Sequence, residues 1–130
     1  MAAKPLTEAA SEALLASKEE LARSITTELY QEMPELLEKY GERGRVRCHE
    51  DMLYNLEHLA PAVALDEPVL FARYVEWLRD MLAARGIPAG EVRRSLEITR
   101  DRVRTRFPAD QAKLIAAVLE AGLNALGPAN

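Results

Sequence analysis

Apolar residues recur along this chain at spacings of three and four, and no window shows the strict alternation of a strand bounded by turn residues. Leu21, Ile25 and Leu29 follow Ser17-Lys-Glu-Glu20, a capping box that predicts a helix start. Upstream, the Ala-rich Thr7–Ala16 predicts a shorter helix with Thr7 as its N-cap. Pro34 ends or kinks the helix from Ser17 and can open a short one carrying Leu36 and Leu37, closed by Gly41. Further helices are predicted over Arg45–Ala60, ending at Pro61, and from Asp66–Pro68 through Arg85, stopped by Gly86-Ile-Pro88. The last two run over Glu91–Arg106, broken by Phe107-Pro108, and Asp110–Leu126, ended by Gly127-Pro128. Six or seven helices joined by short turns predict an all-α fold with globin-like packing rather than an up-down four-helix bundle.

Composition narrows the picture. A chain of 130 residues with 48% hydrophobic and 29% charged residues fits one ordered domain over residues 1–130. No apolar run is long enough to span a membrane, and the N-terminus is too short and polar for a secretory signal. The single cysteine, Cys48, has no internal disulfide partner, so a reducing cytoplasm is the expected location. The net charge of −4 argues against a generic nucleic-acid binder. Charge is nonetheless segregated. Residues 1–42 carry a net −5, whereas residues 89–107, with six arginines, carry +3. That asymmetry can steer self-association or the approach of a partner, with two solvated helix faces as the plainer alternative.

The chemistry concentrates in Gly44–Leu59, G-R-V-R-C-H-E-D-M-L-Y-N-L-E-H-L. On a helix, His49, Met52, Leu53, Leu56, Ala60 and Val63 share one arc and read as the core face. Cys48, Asp51 and Asn55 form a neighbouring stripe. A thiol and a carboxylate one turn apart beside an apolar face suit a groove for an apolar ligand carrying N–H donors. A buried structural cysteine and a surface carboxylate are the plainer alternatives. His49, Glu50 and Asp51 splay around the helix and cannot converge as a catalytic triad; His49 and His58 lie on opposite sides and cannot share a metal. No phosphate loop is present. Neither an enzyme nor a metal site is expected.

Gly44–Leu56 resembles the chromophore helix of the phycobiliproteins, whose pattern there is roughly G-(K/R)-x-(K/R)-C-x-R-D-x-x-Y-Y-L. Asp66–Leu82, Gly86–Ile98 and Lys4–Ala9 are similar to further family segments, in the same order. The chain length is similar to that of phycobiliprotein-related bacterial globins associated with bilin biosynthesis. The resemblance implies a bilin, phycocyanobilin or a related linear tetrapyrrole, for carrying, storage or light absorption. It places Cys48 at the thioether to the ethylidene of ring A and Asp51 at the central pyrrole N–H groups. Arg47 and Arg45 match basic residues that pair the propionates; Tyr54 and Tyr74 match positions near the chromophore. Asn55 stands where the family has a second tyrosine, Glu50 where it has an arginine, and Glu57 at another basic position. Arg43, Arg45 and Arg47 are expected to favour the Cys48 thiolate. The resemblance further implies association through the N-terminal helices, here a homodimer in which Leu14, Leu21, Ile25 and Leu29 form the buried stripe and the opposed charges set its register, with bilin-biosynthesis enzymes as further expected partners. The alternatives are a haem-binding globin, which lacks any histidine in Asp66–Asn130, and a helical regulatory or interaction module without pigment.

Overall fold

The computed structural model describes residues 4–127, and every regular element among them is a helix. Five are present: α1 (Leu6–Glu32), α2 (Glu35–Ala64), α3 (Pro68–Ala84), α4 (Ala89–Arg106) and α5 (Ala109–Ala125). The all-α class holds, with fewer helices than the six or seven expected.

Four boundaries differ from the sequence reading, in α1 at Thr7 and Ser17 and in α2 at Arg45 and Pro61, for identifiable reasons. Thr7–Ala16 and the segment from Ser17 are one unbroken helix, and its N-cap is Pro5 rather than Thr7. No Gly or Pro interrupts Leu6–Glu32, and Ala10, Leu14, Leu21 and Ile25 bury one continuous stripe. A capping box contributes about 1 kcal/mol, less than that burial and the hydrogen bonds a break would forfeit. Gly41 does interrupt α2, with φ 70° and ψ −174°, a left-handed φ open to glycine. The helix resumes at once after it rather than at Arg45, and it continues through Pro61 to Ala64. Ala62 and Val63 are fully buried, so packing holds the turn that Pro61 deprives of one hydrogen bond.

Packing of α1 along α2 and of α3 against α5 forms the core, which α4 closes against α1 and α5. The α3–α5 crossing is tight at Gly122: a Cβ there would lie 2.6 Å from the Phe71 ring and 3.0 Å from Val75. Only a glycine lets Phe71 seat fully buried between the two helices.

The predicted dimer stripe is corrected by this packing. Leu14, Leu21, Ile25 and Leu29 are at most 4% exposed and belong to the core of the chain itself. The opposed charges are likewise spent internally, between α1 and α4. Arg94 forks onto Glu32 at 2.9 and 2.7 Å, Arg102 pairs Glu28, and Arg106 reaches Glu20 at 2.7 Å. The Arg94 guanidinium holds the Glu32 carboxyl below its usual range. No described helix is long and apolar enough to cross a membrane.

Candidate functional site

The segment after the Gly41 kink runs one face of α2 beneath α3 and α4, and two hollows open along it. The first, of about 610 Å3, lies between α1, α2, the C-terminal end of α3 and α4; Tyr30, Tyr40, Cys48, Met52, Asn55 and Glu91 line it among leucines. The second, of about 750 Å3, lies between α2 and α3, with Tyr54, His58, Arg73, Tyr74, Trp77 and Arg85 in its walls. Both are lined by Arg47, Glu50, Asp51 and Leu78, so they meet on this stretch of α2. Each volume falls within the range of small-molecule sites, and together they form an extended trough.

Asp51 stands at the junction. Burial raises the pKa of its carboxyl; the nearby Arg85 and Arg47 oppose that through space, and Glu50 adds to it. Half-buried and held by no hydrogen bond in this balance, the carboxylate is placed to accept from a ligand.

Cys48 lines the first cavity only, and the structure corrects the expected thiolate. Burial pushes the thiol from 9.0 up to about 11, with Asp51 and Glu91 reinforcing the shift. The neighbouring Thr26 hydroxyl pulls the other way, more than either carboxylate pushes, though without a hydrogen bond of normal geometry. None of the three neighbouring arginines contributes, because consecutive odd-numbered positions point around the helix rather than at the sulfur. The folded chain therefore holds this proton more tightly than the unfolded one. That contribution to stability is complete below pH 9 and is lost as pH rises through 11. Alkylation by iodoacetamide should follow the same titration, with a midpoint near 11 in the native protein and near 9 in urea. Equal midpoints would show that the thiol is not shielded.

Asn55 is buried, and its amide oxygen accepts from the Tyr74 hydroxyl at 2.6 Å. Its role is to hold Tyr74 in the wall of the second cavity. Burial raises the Tyr74 hydroxyl pKa, and Asp51 and Glu57 add to the effect. His58 stacks flat on that ring, with centroids 4.0 Å apart, and Trp77 lies 6.0 Å beyond. Tyr54 sits on the outer rim, 57% exposed.

Arg45 lines neither large cavity; it faces a smaller hollow between α1 and α2 with His49. His49 is not a core residue either. Its side chain is 29% exposed, and Nε2 lies 3.6 Å from Glu19. The helix arc that suggested otherwise ends where α1 leaves a gap for a charged neighbour.

Sequence reasoning missed Arg73, Trp77, Met81 and Arg85, which recur every four residues along α3 and together line the second cavity. That spacing was the available signal; their facing toward α2 was not. It also missed Tyr30 and Glu91, which come from α1 and α4. Burial pushes the Tyr30 hydroxyl up to about 12. Among the described residues no group of three or more His, Cys, Asp or Glu side chains is arranged to hold a metal ion.

Over 100 residues the chain is 28% identical to allophycocyanin subunit beta-18 of Synechocystis sp., an alignment spanning 73% of this chain and 59% of that protein. The chain thus covers less than two thirds of that relative's length. The family model for the phycobilisome protein matches residues 3–126, which takes in all five helices and the whole trough. By that match the chain belongs to the phycobilisome protein family, and its all-α fold is the globin-like one of the phycobiliproteins.

Proposed function

We propose that this protein binds a bilin in the trough along α2, attaches it to Cys48, and serves to carry, store or absorb light with it. The observation that carries this reading is Asp51, a half-buried carboxylate at the junction of two apolar-walled cavities. An elongated ligand with N–H groups at its middle and acidic groups along one edge suits that layout. Asp51 would accept the central N–H groups through charge-assisted hydrogen bonds. Arg47, Arg73 and Arg85 would pair the propionates, and they supply the positive charge that Glu50 withholds. Arg45 drops out of this set because it opens elsewhere. Tyr74, fixed by Asn55, and Trp77 offer ring faces to the conjugated system. The bound pigment supplies absorption in the visible.

Attachment at Cys48 is an addition without a leaving group or oxidant. The Cys48 sulfur would add to the ring A ethylidene, opening its carbon–carbon double bond, and the thiol proton would pass to the adjoining ring carbon. This is modification of the protein itself, not turnover. The reading extends to the bilin-biosynthesis-associated globin type, to a single functional unit across the chain in the cytoplasm, and to delivery by bilin-making enzymes. A homodimer stays part of it, through a surface other than the Leu14–Leu29 stripe.

Co-production with a phycocyanobilin pathway tests the proposal. Coloured protein is expected, and Asp51→Asn should shift its absorption to the blue; in a Cys48→Ala background, where no covalent bond holds the pigment, the same change should weaken retention by about tenfold, equivalent to one charge-assisted hydrogen bond. Colourless protein under saturating bilin would overturn binding. A sharp Soret band with haem and no bilin uptake would favour the haem alternative; Cys48 left free and both pigments refused would favour an interaction module.

A further inference from the structure

A third hollow, of about 170 Å3, lies on the other flank of α2, lined from α1 by Arg23, Thr26 and Thr27 and from α2 by Glu42, Arg45 and His49. We infer that it is a binding site for a free tetrahedral oxyanion of the phosphate or sulfate class, held between Arg23 and Arg45 over the Thr26 hydroxyl. It is separate from the trough and does not depend on the bilin reading.

Helix spacing assembles it. Arg23, Thr26 and Thr27 fall at i, i+3 and i+4 on α1, and Arg45 and His49 at i and i+4 on α2, so each helix presents one donor face to the hollow. Two observations point to an anion. Among the described residues eight arginines have no carboxylate within ion-pair distance, and two of them, Arg23 and Arg45, from different helices, line this one small hollow. Independently, Thr26 is 4% exposed, and its Oγ1 is buried without a hydrogen-bond partner although it borders this space. A buried, unpaired hydroxyl costs about 1–3 kcal/mol, and an oxyanion would satisfy it.

The opposing groups are Glu42, in the lining, and Glu19, 3.6 Å from His49 Nε2. The Glu19 side chain is 66% exposed and water screens it, so two guanidiniums face one nearby carboxylate. With a water taking about 30 Å3, the hollow has room for one tetrahedral anion and a few waters.

Titration of the intact chain with inorganic phosphate at low ionic strength, followed by amide chemical shifts, tests this. Saturable shifts at Thr26, Thr27 and His49 are expected. Arg45→Gln should weaken binding at least tenfold and the nearly isosteric Thr26→Val about threefold, with unchanged helical circular dichroism. Arg104→Gln, on exposed α4 surface, should leave it unaltered. Shifts that fail to saturate would overturn the site. So would Arg104→Gln weakening binding as much as Arg45→Gln, which marks diffuse attraction, or Thr26→Val binding as tightly as the native chain.

Discussion

In Cys48→Ala, zinc-induced fluorescence on a denaturing gel should fall to background, while the protein in native buffer keeps most of its colour. The two readouts separate because they depend on different forces. On the proposed reading, reversible retention draws on the apolar walls of both cavities, on Asp51, and on Arg47, Arg73 and Arg85, none of which the substitution touches. Survival through denaturation depends on one carbon–sulfur bond alone. With the thiol at about 11, roughly one molecule in 10,000 is thiolate at pH 7, so unassisted attachment should quicken about tenfold per pH unit and level off near 11. Gel fluorescence that persists in Cys48→Ala would place the covalent link elsewhere. Colour lost in both conditions would mean that the thioether supplies the retention, contrary to the role given to Asp51.

The second large effect concerns stability. Leu21→Ala should destabilise the fold by about 2–5 kcal/mol, at least 30-fold in the folded-to-unfolded ratio, because Leu21 is fully buried within the chain. The loss should be the same at micromolar and at hundredfold higher protein concentration in urea unfolding. Leu15, on the same helix but 43% exposed, should tolerate alanine within about 0.5 kcal/mol. A Leu21→Ala loss that shrinks as protein concentration rises would return the α1 stripe to an interface between copies.

These two outcomes bear on what could be read before the fold was seen. Helix existence was legible from local chemistry. Pro34, Gly86-Ile-Pro88 and Phe107-Pro108 punctuate the chain where the helices end, and Gly41 breaks α2 where a positive φ is needed. The capping box at Ser17 was equally legible and misled, because a signal of about 1 kcal/mol yields to continuous burial of Ala10, Leu14, Leu21 and Ile25. The same stripe was read as an interface, since periodicity reports that a face is buried but not what covers it.

The candidate site divides in the same way. Cys48, Asp51 and Asn55 share one stripe of a helix, and their spacing placed them together before any contact was known, whereas Arg47 entered through the family resemblance. The α3 wall of Arg73, Trp77, Met81 and Arg85 had a visible spacing and no visible destination. Arg45 left the group because a rotation of about 200° separates it from Arg47 on the same helix. The sign of the Cys48 shift was misread for a related reason: nearness along the chain suggested three cations, while the surroundings in space are apolar walls, Asp51 and Glu91.

Local backbone geometry already sets the helical class, most helix ends, and a thiol and a carboxylate on one face of α2, because each follows from periodicity within a few residues. Packing between distant segments sets the rest: α1 turns its leucines inward, its acids meet the arginines of α4 in the same chain, and Asp51 stands where two cavities join. Those outcomes rest on burial and on through-space charge between segments tens of residues apart, and neither is a property of any local window.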